Sequence, residues 1–541
     1  MKKSNKKNLF AAGAKLSLLT LISRILGLIR EATKAAFLGT SNLADAFGIA
    51  FTIPNLFRRL FAENSVSVAF IPTFREYLES ANSSEGKQTT QEFINATCTL
   101  VSFLTAMVVI IGIIITPFII PFFTQDTSTD VLTETTILTR IMFPYLFVIS
   151  IAALFQGILN GLKIFTPSGF TPILFNIIVI LSTYFLSPFT KNPARAMAFG
   201  VILGGIIQAL FQLPFILKNN WKVSFSSLKS AFTNPGTKKV IKLVGPTIIG
   251  MAAYQLNDVV SMILAGNAGT GVVSSLQYSL RLQELILGIF AVSIGTVILP
   301  DLTGLAKKEE WEKFNNMLSL AIKIIALITI PITFFALVTG DHIISLIYKS
   351  KLFDENSVRL TMTAFTYHII GLFFIAVNRI LSPAFYAQGN TKLPTLAGII
   401  SFGINILLAL ILVKPMIGGG IALALTIASM ANTILLFIFL RKTGSVNVSS
   451  VVKNMILYAL KIIVLSIISI IPIIFLKDLI FSWFSEYHRF IADGIPLIIC
   501  VLLFAIIGII LLIITKDSAA MMLVNKIHNK LAKKKEVHKH E

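Results

Sequence analysis

Apolar runs of about twenty residues recur from one end of this sequence to the other, each long enough to cross the ~30 Å core of a bilayer. That pattern leaves few options. No water reaches the core to satisfy backbone groups, so only helices or a closed barrel can cross it. A barrel would alternate polar and apolar residues in short segments, and this chain does not. The 541 residues are 55% hydrophobic and 13% charged, with mean hydropathy +0.83. The expected fold class is an all-α polytopic membrane protein.

Fourteen spans are expected, near 10–37, 45–74, 92–120, 134–158, 167–187, 196–217, 244–265, 273–302, 315–340, 360–387, 394–413, 418–440, 454–476 and 491–515. The basic start followed by an apolar run imitates a signal peptide. Arg24 and Arg30 inside that run, and the lack of a small-residue cleavage site, keep it as the first span. With the N-terminus inside, the cytoplasmic segments hold 28 Lys and Arg and the outer loops 8. The positive-inside rule therefore puts both termini in the cytoplasm. It also accounts for the net charge of +21 without nucleic acid. The loop 341–359 fits that topology least well.

The chain repeats itself. Pro72 and Pro300, Pro167 and Pro394, and Asn176 and Asn405 are separated by 228, 227 and 229 residues. Two six-helix lobes follow, 1–220 and 221–443. Because six is even, they are parallel repeats, with the cargo site expected between them. Two extra C-terminal helices occupy 444–515, and 516–541 is a basic cytoplasmic tail suited to anionic headgroups.

Residues 17–75 carry the chemistry. Two apolar spans there hold Arg24, Arg30, Glu31, Lys34, Asp45, Arg58, Arg59 and Glu63. A charge at the centre of a membrane helix costs about 2.5–3.5 kcal/mol on insertion scales. Five cations against three anions leave an excess that self-satisfied ion pairs would not need. We read a wet cationic cavity wall for an anionic cargo. Arginine suits a diphosphate because its planar fork donates two parallel hydrogen bonds. Arg24 and Glu31 are seven apart and share a helix face, with Arg30 to the side. Pro54 should kink span 2. Arg281 and Glu284, at i,i+3, can pair on span 8. For Glu31, Glu63 and Glu284 a packing role is an equal alternative.

Other residues are weaker signals. Asp258 in span 7 reads either as a hydrogen-bonded helix contact or as a Na⁺ ligand with Asn405. No metal set is firm. His368 reads as a helix contact rather than a proton relay. Cys98 and Cys500 read as buried thiols, and Gly418, Gly419 and Gly420 as tight packing or a turn.

The runs SRILGLIRE (23–31), ADAF (44–47), PNLFRRLFAE (54–63), AFIP (69–72), LRLQELILG (280–288) and ILP (298–300) resemble the lipid II flippase family MurJ, also called MviN. That family lies in the multidrug/oligosaccharidyl-lipid/polysaccharide exporter superfamily. The resemblance covers essentially the whole chain. It implies a transporter, not an enzyme, in the bacterial cytoplasmic membrane. It would move the undecaprenyl-diphosphate-linked peptidoglycan precursor from the inner to the outer leaflet by alternating access. The resemblance marks Arg24, Arg30, Asp45, Arg58 and Arg281 as required, and makes spans 13 and 14 a groove for the prenyl tail. It also implies a monomer that works beside cell-wall synthesis proteins. Three departures stand out, Glu31 where Asp is usual, Leu280 where Asp is usual and Asn64 where Gly is usual; they keep the cationic set intact and bear on ion-pair gating more than on cargo binding.

No cofactor is expected, though Na⁺ or H⁺ coupling and the membrane potential are candidate drivers. Moving negative charge outward from an inside-negative cell gains about 2.3 kcal/mol per charge per 100 mV. The competing reading within the superfamily is an exporter of another cargo, a lipid-linked polysaccharide repeat or a drug. Exporters of cationic drugs should have acidic walls. A prenyl-phosphate transferase would need clustered carboxylates for Mg²⁺, and none stand in the sequence.

Overall fold

The computed structural model describes residues 2–60, 66–124, 129–289, 291–517 and 520–521. In chain order the helices are α1 (Lys2–Leu38), α2 (Asn42–Arg58), α3 (Ile71–Ser80), α4 (Ser84–Ile119), α5 (Thr129–Met142), α6 (Pro144–Gly161), α7 (Thr166–Leu186), α8 (Pro193–Lys218), α9 (Leu228–Thr233) and α10 (Pro235–Gly266). They continue as α11 (Val272–Ile289), α12 (Ala291–Lys307), α13 (Trp311–Tyr348), α14 (Glu355–Ile370), α15 (Leu372–Ala387), α16 (Lys392–Lys442), α17 (Val448–Ser482), α18 (Arg489–Ala492) and α19 (Gly494–Ile514). No strand occurs among the described residues.

Eight described helices, or nine if one bent pair counts as a span, are long and apolar enough to cross a bilayer. The helices α1, α2 and α11, which carry most of the intramembrane charge, are not among them. Adding α1, α2–α3, α10 and α11–α12 as crossings, and dividing α16, gives the expected fourteen. The division of α16 is physical. Its 51 residues would run about 76 Å as one rod, far beyond a bilayer core. Ile417, at φ 51°, breaks it two residues after Pro415, and Gly418, Gly419 and Gly420 are buried just beyond. That is where the sequence placed the turn between spans 11 and 12.

The chain divides into two compact units, residues 1–278 with 350–357, and residues 279–349 with 358–541. In the first unit, α6 and α7 lie along α8, α1 lies on α7, α2 on α5 and α4 on α6. Its buried core includes Phe70, Phe74, Phe93, Leu138, Met142 and Phe155. Phe70 stacks on both Phe74 and Phe93, with centroids 5.5 and 5.6 Å apart.

The connection after α8 is an extended stretch strapped along α4. The Lys222 N–H donates to Gln91 Oε1 (3.0 Å), Ser224 N–H to Asn95 Oδ1 (3.2 Å) and Ser226 N–H to Thr99 Oγ1 (2.8 Å). Residues four apart on a helix are separated by about 6 Å along its axis, and alternate residues of extended chain by about 6.6 Å. The two periods stay matched over these three contacts.

A clamp joins α5 to the start of α8. Glu134 Oε1 accepts from Arg195 Nε and Asn192 Nδ2, each at 2.8 Å, and Glu134 Oε2 accepts from Arg195 Nη2 at 2.7 Å. Both ionic side chains are largely covered, Arg195 at 21% and Glu134 at 14% exposure. Arg195→Ala strands a covered carboxylate, and it is expected to cost about 1–3 kcal/mol. Arg195→Lys should recover only part of that, because an ammonium cannot reproduce the fork. Thermal unfolding in detergent tests this, and equal melting temperatures for Arg195→Ala and the parent would refute it.

In the second unit, α13 packs on α15 and α17, α15 on α12 and α16, and α17 on α19. Ile470, Ile473, Ile480, Leu497 and Cys500 form one buried cluster between α17 and α19. At one end His342 Nδ1 meets Asp493 Oδ1 at 3.0 Å while its ring stacks on Phe481. At the other, Asp517 accepts from Tyr458 Oη (2.9 Å) and Lys461 Nζ (2.7 Å). Cys98 and Cys500 are free and buried.

Candidate functional site

In the first unit Lys34 of α1 and Asp45 of α2 reach the beginning of α11, and Glu31 and Arg30 follow on from Lys34. Arg30 Nη2 donates to Glu31 Oε1 at 2.8 Å. The sequence placed Arg30 to the side of Glu31. The long guanidinium stem spans the gap between adjacent positions. Arg30 Cζ also lies 5.6 Å from the Phe175 ring centroid and 5.9 Å from that of Phe51, within cation–π range. Glu31 Oε2 lies 4.0 Å from Lys34 Nζ. One carboxylate therefore faces two cations.

Lys34 was only one charge among eight in the sequence. It is 3% exposed. Its Nζ donates to Gln277 Oε1 at 2.6 Å and sits 4.8 Å from the centroid of Tyr278. Gly48 of α2 makes room for that bond: a Cβ there would lie 2.8 Å from Gln277 Oε1. The Tyr278 hydroxyl donates to Gly39 O at 2.9 Å, closing α11 against the end of α1. Asn176 of α7 donates to Ser23 O at 3.1 Å, beside Arg24. The i+3 and i+4 spacing of Lys34 from Glu31 and Arg30 was the available signal. Its partner 243 residues on was not.

Asp45 is 8% exposed. Its Oδ2 accepts from Gly271 N–H at 2.6 Å and its Oδ1 from Ser274 N–H at 2.8 Å. The Ser274 N–H is one of the first N–H groups of α11, which lack carbonyl partners and form the positive end of its dipole, and the Gly271 N–H stands just before the helix. The carboxylate thus caps α11 from a neighbouring helix. Beside it, Thr270 donates to Asn42 Oδ1 at 2.6 Å.

Further along α2, Pro54 lies inside the helix, which ends at Arg58. Arg58 Nε donates to Asn55 Oδ1 at 2.7 Å. Arg59 Nη1 pairs with Asp258 Oδ2 of α10 at 2.8 Å, with both side chains about half exposed, 40% and 50%. Asp258 is thus engaged with a cation of the charged stretch. Glu63 lies outside the described residues.

In the second unit, Arg281 Nη1 and Glu284 Oε2 are 3.4 Å apart, the expected i,i+3 pair. Asn405 is buried in α16 at 2% exposure. His368 is 1% exposed with Nδ1 2.6 Å from Ser279 Oγ, a helix contact. Among the described residues no group of three or more His, Cys, Asp or Glu is placed to hold a metal ion.

The arrangement can offer guanidinium forks to an anion along α1 and α2, with Glu31 tempering Arg30 and Asp258 tempering Arg59. Known proteins give the wider setting. The family model described as "Lipid II flippase MurJ" matches residues 34–492. A "Probable lipid II flippase MurJ" of Treponema pallidum (strain Nichols) is 46% identical over 525 residues, covering 97% of this chain and 99% of that protein. The solved structure of a lipid II flippase MurJ in an inward closed conformation matches with TM-score 0.74 and 27% identity, over 92% of this chain and 98% of that one. An inward-facing multidrug resistance MATE family transporter of the MOP superfamily matches with TM-score 0.64 over 81% of this chain and 99% of that one. At 17% identity that likeness concerns the fold alone.

Proposed function

The chain belongs to the lipid II flippase MurJ family, and from that membership we propose that it carries the lipid-linked peptidoglycan precursor from the inner to the outer leaflet. It is a multi-pass membrane transporter and not an enzyme. The observation that carries the chemical side of the proposal is the surplus of cations over carboxylates on α1 and α2, where Glu31 faces both Arg30 and Lys34.

In this reading Arg24, Arg30, Arg58 and Arg59 of the first unit take the diphosphate, and Arg281 of the second unit is a separate candidate contact for the cargo. Bidentate bonds would give orientation as well as affinity. Glu31 and Glu284 keep the neighbouring arginines extended between cargo visits, and Asp45 holds α11 in place. The prenyl tail runs in the apolar surface of α17 and α19, where Phe475 is 79% exposed and Ile514 70%. Access alternates between the two sides of the membrane.

The proposal extends to setting. The protein sits in the bacterial cytoplasmic membrane as a monomer, both termini inside, near cell-wall synthesis proteins. The inside-negative potential favours the outward step. Asp258 is the candidate carboxylate for Na⁺ or H⁺ coupling, with Arg59 as its resting partner.

The test is complementation in bacteria whose own lipid II flippase can be depleted, with membrane abundance checked. The intact chain is expected to rescue, while Arg24→Ala, Arg58→Ala and Arg281→Ala fail at normal abundance. Rescue by all three variants would overturn the arginine assignment. An intact chain that inserts yet neither rescues nor flips lipid II in liposomes would point to another cargo.

A further inference from the structure

Helices α14 and α15 meet at a bend of 43° with Gly371 between them. Thr426 of α16 packs directly on this glycine: a Cβ at 371 would lie 2.4 Å from Thr426 Oγ1. A bend frees carbonyls of the turn before it, and buried carbonyls need donors. Here three consecutive carbonyls receive side-chain donors from three helices. Tyr367 O accepts from Thr426 Oγ1 of α16 at 2.7 Å. His368 O accepts from Gln283 Nε2 of α11. Ile369 O accepts from Thr333 Oγ1 of α13 at 3.1 Å.

Residue 368 makes a second bond to the same helix, through its ring to Ser279 Oγ at 2.6 Å. Ser279 and Gln283 are 0% and 2% exposed. Four residues apart, they lie about 40° from each other around α11 and about 6 Å apart along it. Arg281, midway between them, points about 160–200° away, to the opposite face. Its side chain is 27% exposed and that of Glu284 53%. Two contacts one turn apart hold this stretch of α11 in rotation and register more firmly than one contact would. The ring's hydrogen-bond partner is a hydroxyl, and the main-chain bond comes from an amide. Neither titrates, so the arrangement serves position rather than proton transfer.

We propose that His368 is a positioning residue: by gripping Ser279 and Gln283 with ring and main chain, it sets the rotation of α11 that aims Arg281 and Glu284 at the charged headgroup of the cargo. The second half of this statement rests on the reading of Arg281 as a cargo contact.

Two measurements on the full-length chain test it. The first places a single cysteine by Arg281→Cys in a Cys98→Ala, Cys500→Ala background and follows its labelling by a charged thiosulfonate. His368→Phe should change the labelling rate by about 2- to 10-fold, the worth of one neutral hydrogen bond. His368→Asn, whose amide can reach Ser279, should restore it. The second is lipid II flipping in liposomes. There His368→Phe should raise KM by a similar factor with little change in kcat, and should add nothing on an Arg281→Ala background. Unchanged labelling, or equal and additive losses in both backgrounds, overturns the clamp. Altered labelling with Arg281→Ala transporting normally leaves the clamp standing and removes Arg281 from the cargo site. Should His368→Phe fail to accumulate, Ser279→Ala breaks the same ring contact and carries the same measurements.

Discussion

Asp45→Ala is expected to be among the most damaging single substitutions in the first unit, costing about 2–6 kcal/mol and abolishing transport, at about 1–3 kcal/mol for each buried donor it orphans. The reason is the pair of main-chain N–H groups, Gly271 and Ser274, that the carboxylate accepts. With Asp45 only 8% exposed, water cannot take over both bonds. Asp45→Asn retains one acceptor oxygen and loses the charge that answers the helix dipole, so it should fall between. Ser274→Ala separates cap from side chain. It leaves the donating N–H in place and should cost under about 1 kcal/mol. Thermal unfolding of the purified variants, read beside liposome flipping, distinguishes these cases. A parental melting temperature for Asp45→Ala would show that the cap does not hold α11.

Glu31→Ala should cost about 3–5 kcal/mol, the usual penalty for leaving a buried charge without its partner. It leaves Arg30 and Lys34 together in a largely covered place, with Arg30 at 18% and Lys34 at 4% side-chain exposure. Arg30 keeps two aromatic rings, and Lys34 keeps a neutral amide and two rings, but Lys34 is the more deeply covered of the two. Adding Lys34→Met should therefore return a good part of the loss, because a long apolar chain fills the same volume without a charge. Lys34→Met alone should be mild, since Glu31 still has Arg30. A double-mutant cycle on unfolding free energy checks this. A coupling between Glu31 and Lys34 below about 0.5 kcal/mol would mean that the two charges are independent.

How much of this was legible in the sequence depended on the reach of each interaction. The crossings were legible because a bilayer dictates their length and composition, and Pro415 with the glycines after it marked the break in α16. The Arg281–Glu284 pair was legible because helix geometry makes i,i+3 neighbours local. His368 could be read as a helix contact, although not its partners on α11. Lys34–Gln277, Asp45–Gly271 and Arg59–Asp258 join residues 243, 226 and 199 apart, and nothing periodic links such positions. The cost of a buried charge announced that partners must exist without naming them. Asp45 illustrates the limit. Its charge within an apolar run drew attention to a cavity wall, while the described role is to finish another helix.

The strap along α4 carries a consequence for how this connection can vary. Only every second N–H of residues 222–226 meets an acceptor, so adding or removing one residue would turn the whole row to the wrong side. Most loops tolerate changes in length and resist changes at a few special residues. Here the rule is reversed: Lys222 and Ser224 donate to α4 through the main chain, Ser226 adds its hydroxyl, and the count between them matters more than the identities of the first two. The connection behaves as a measured spacer, written in parity more than in side chains.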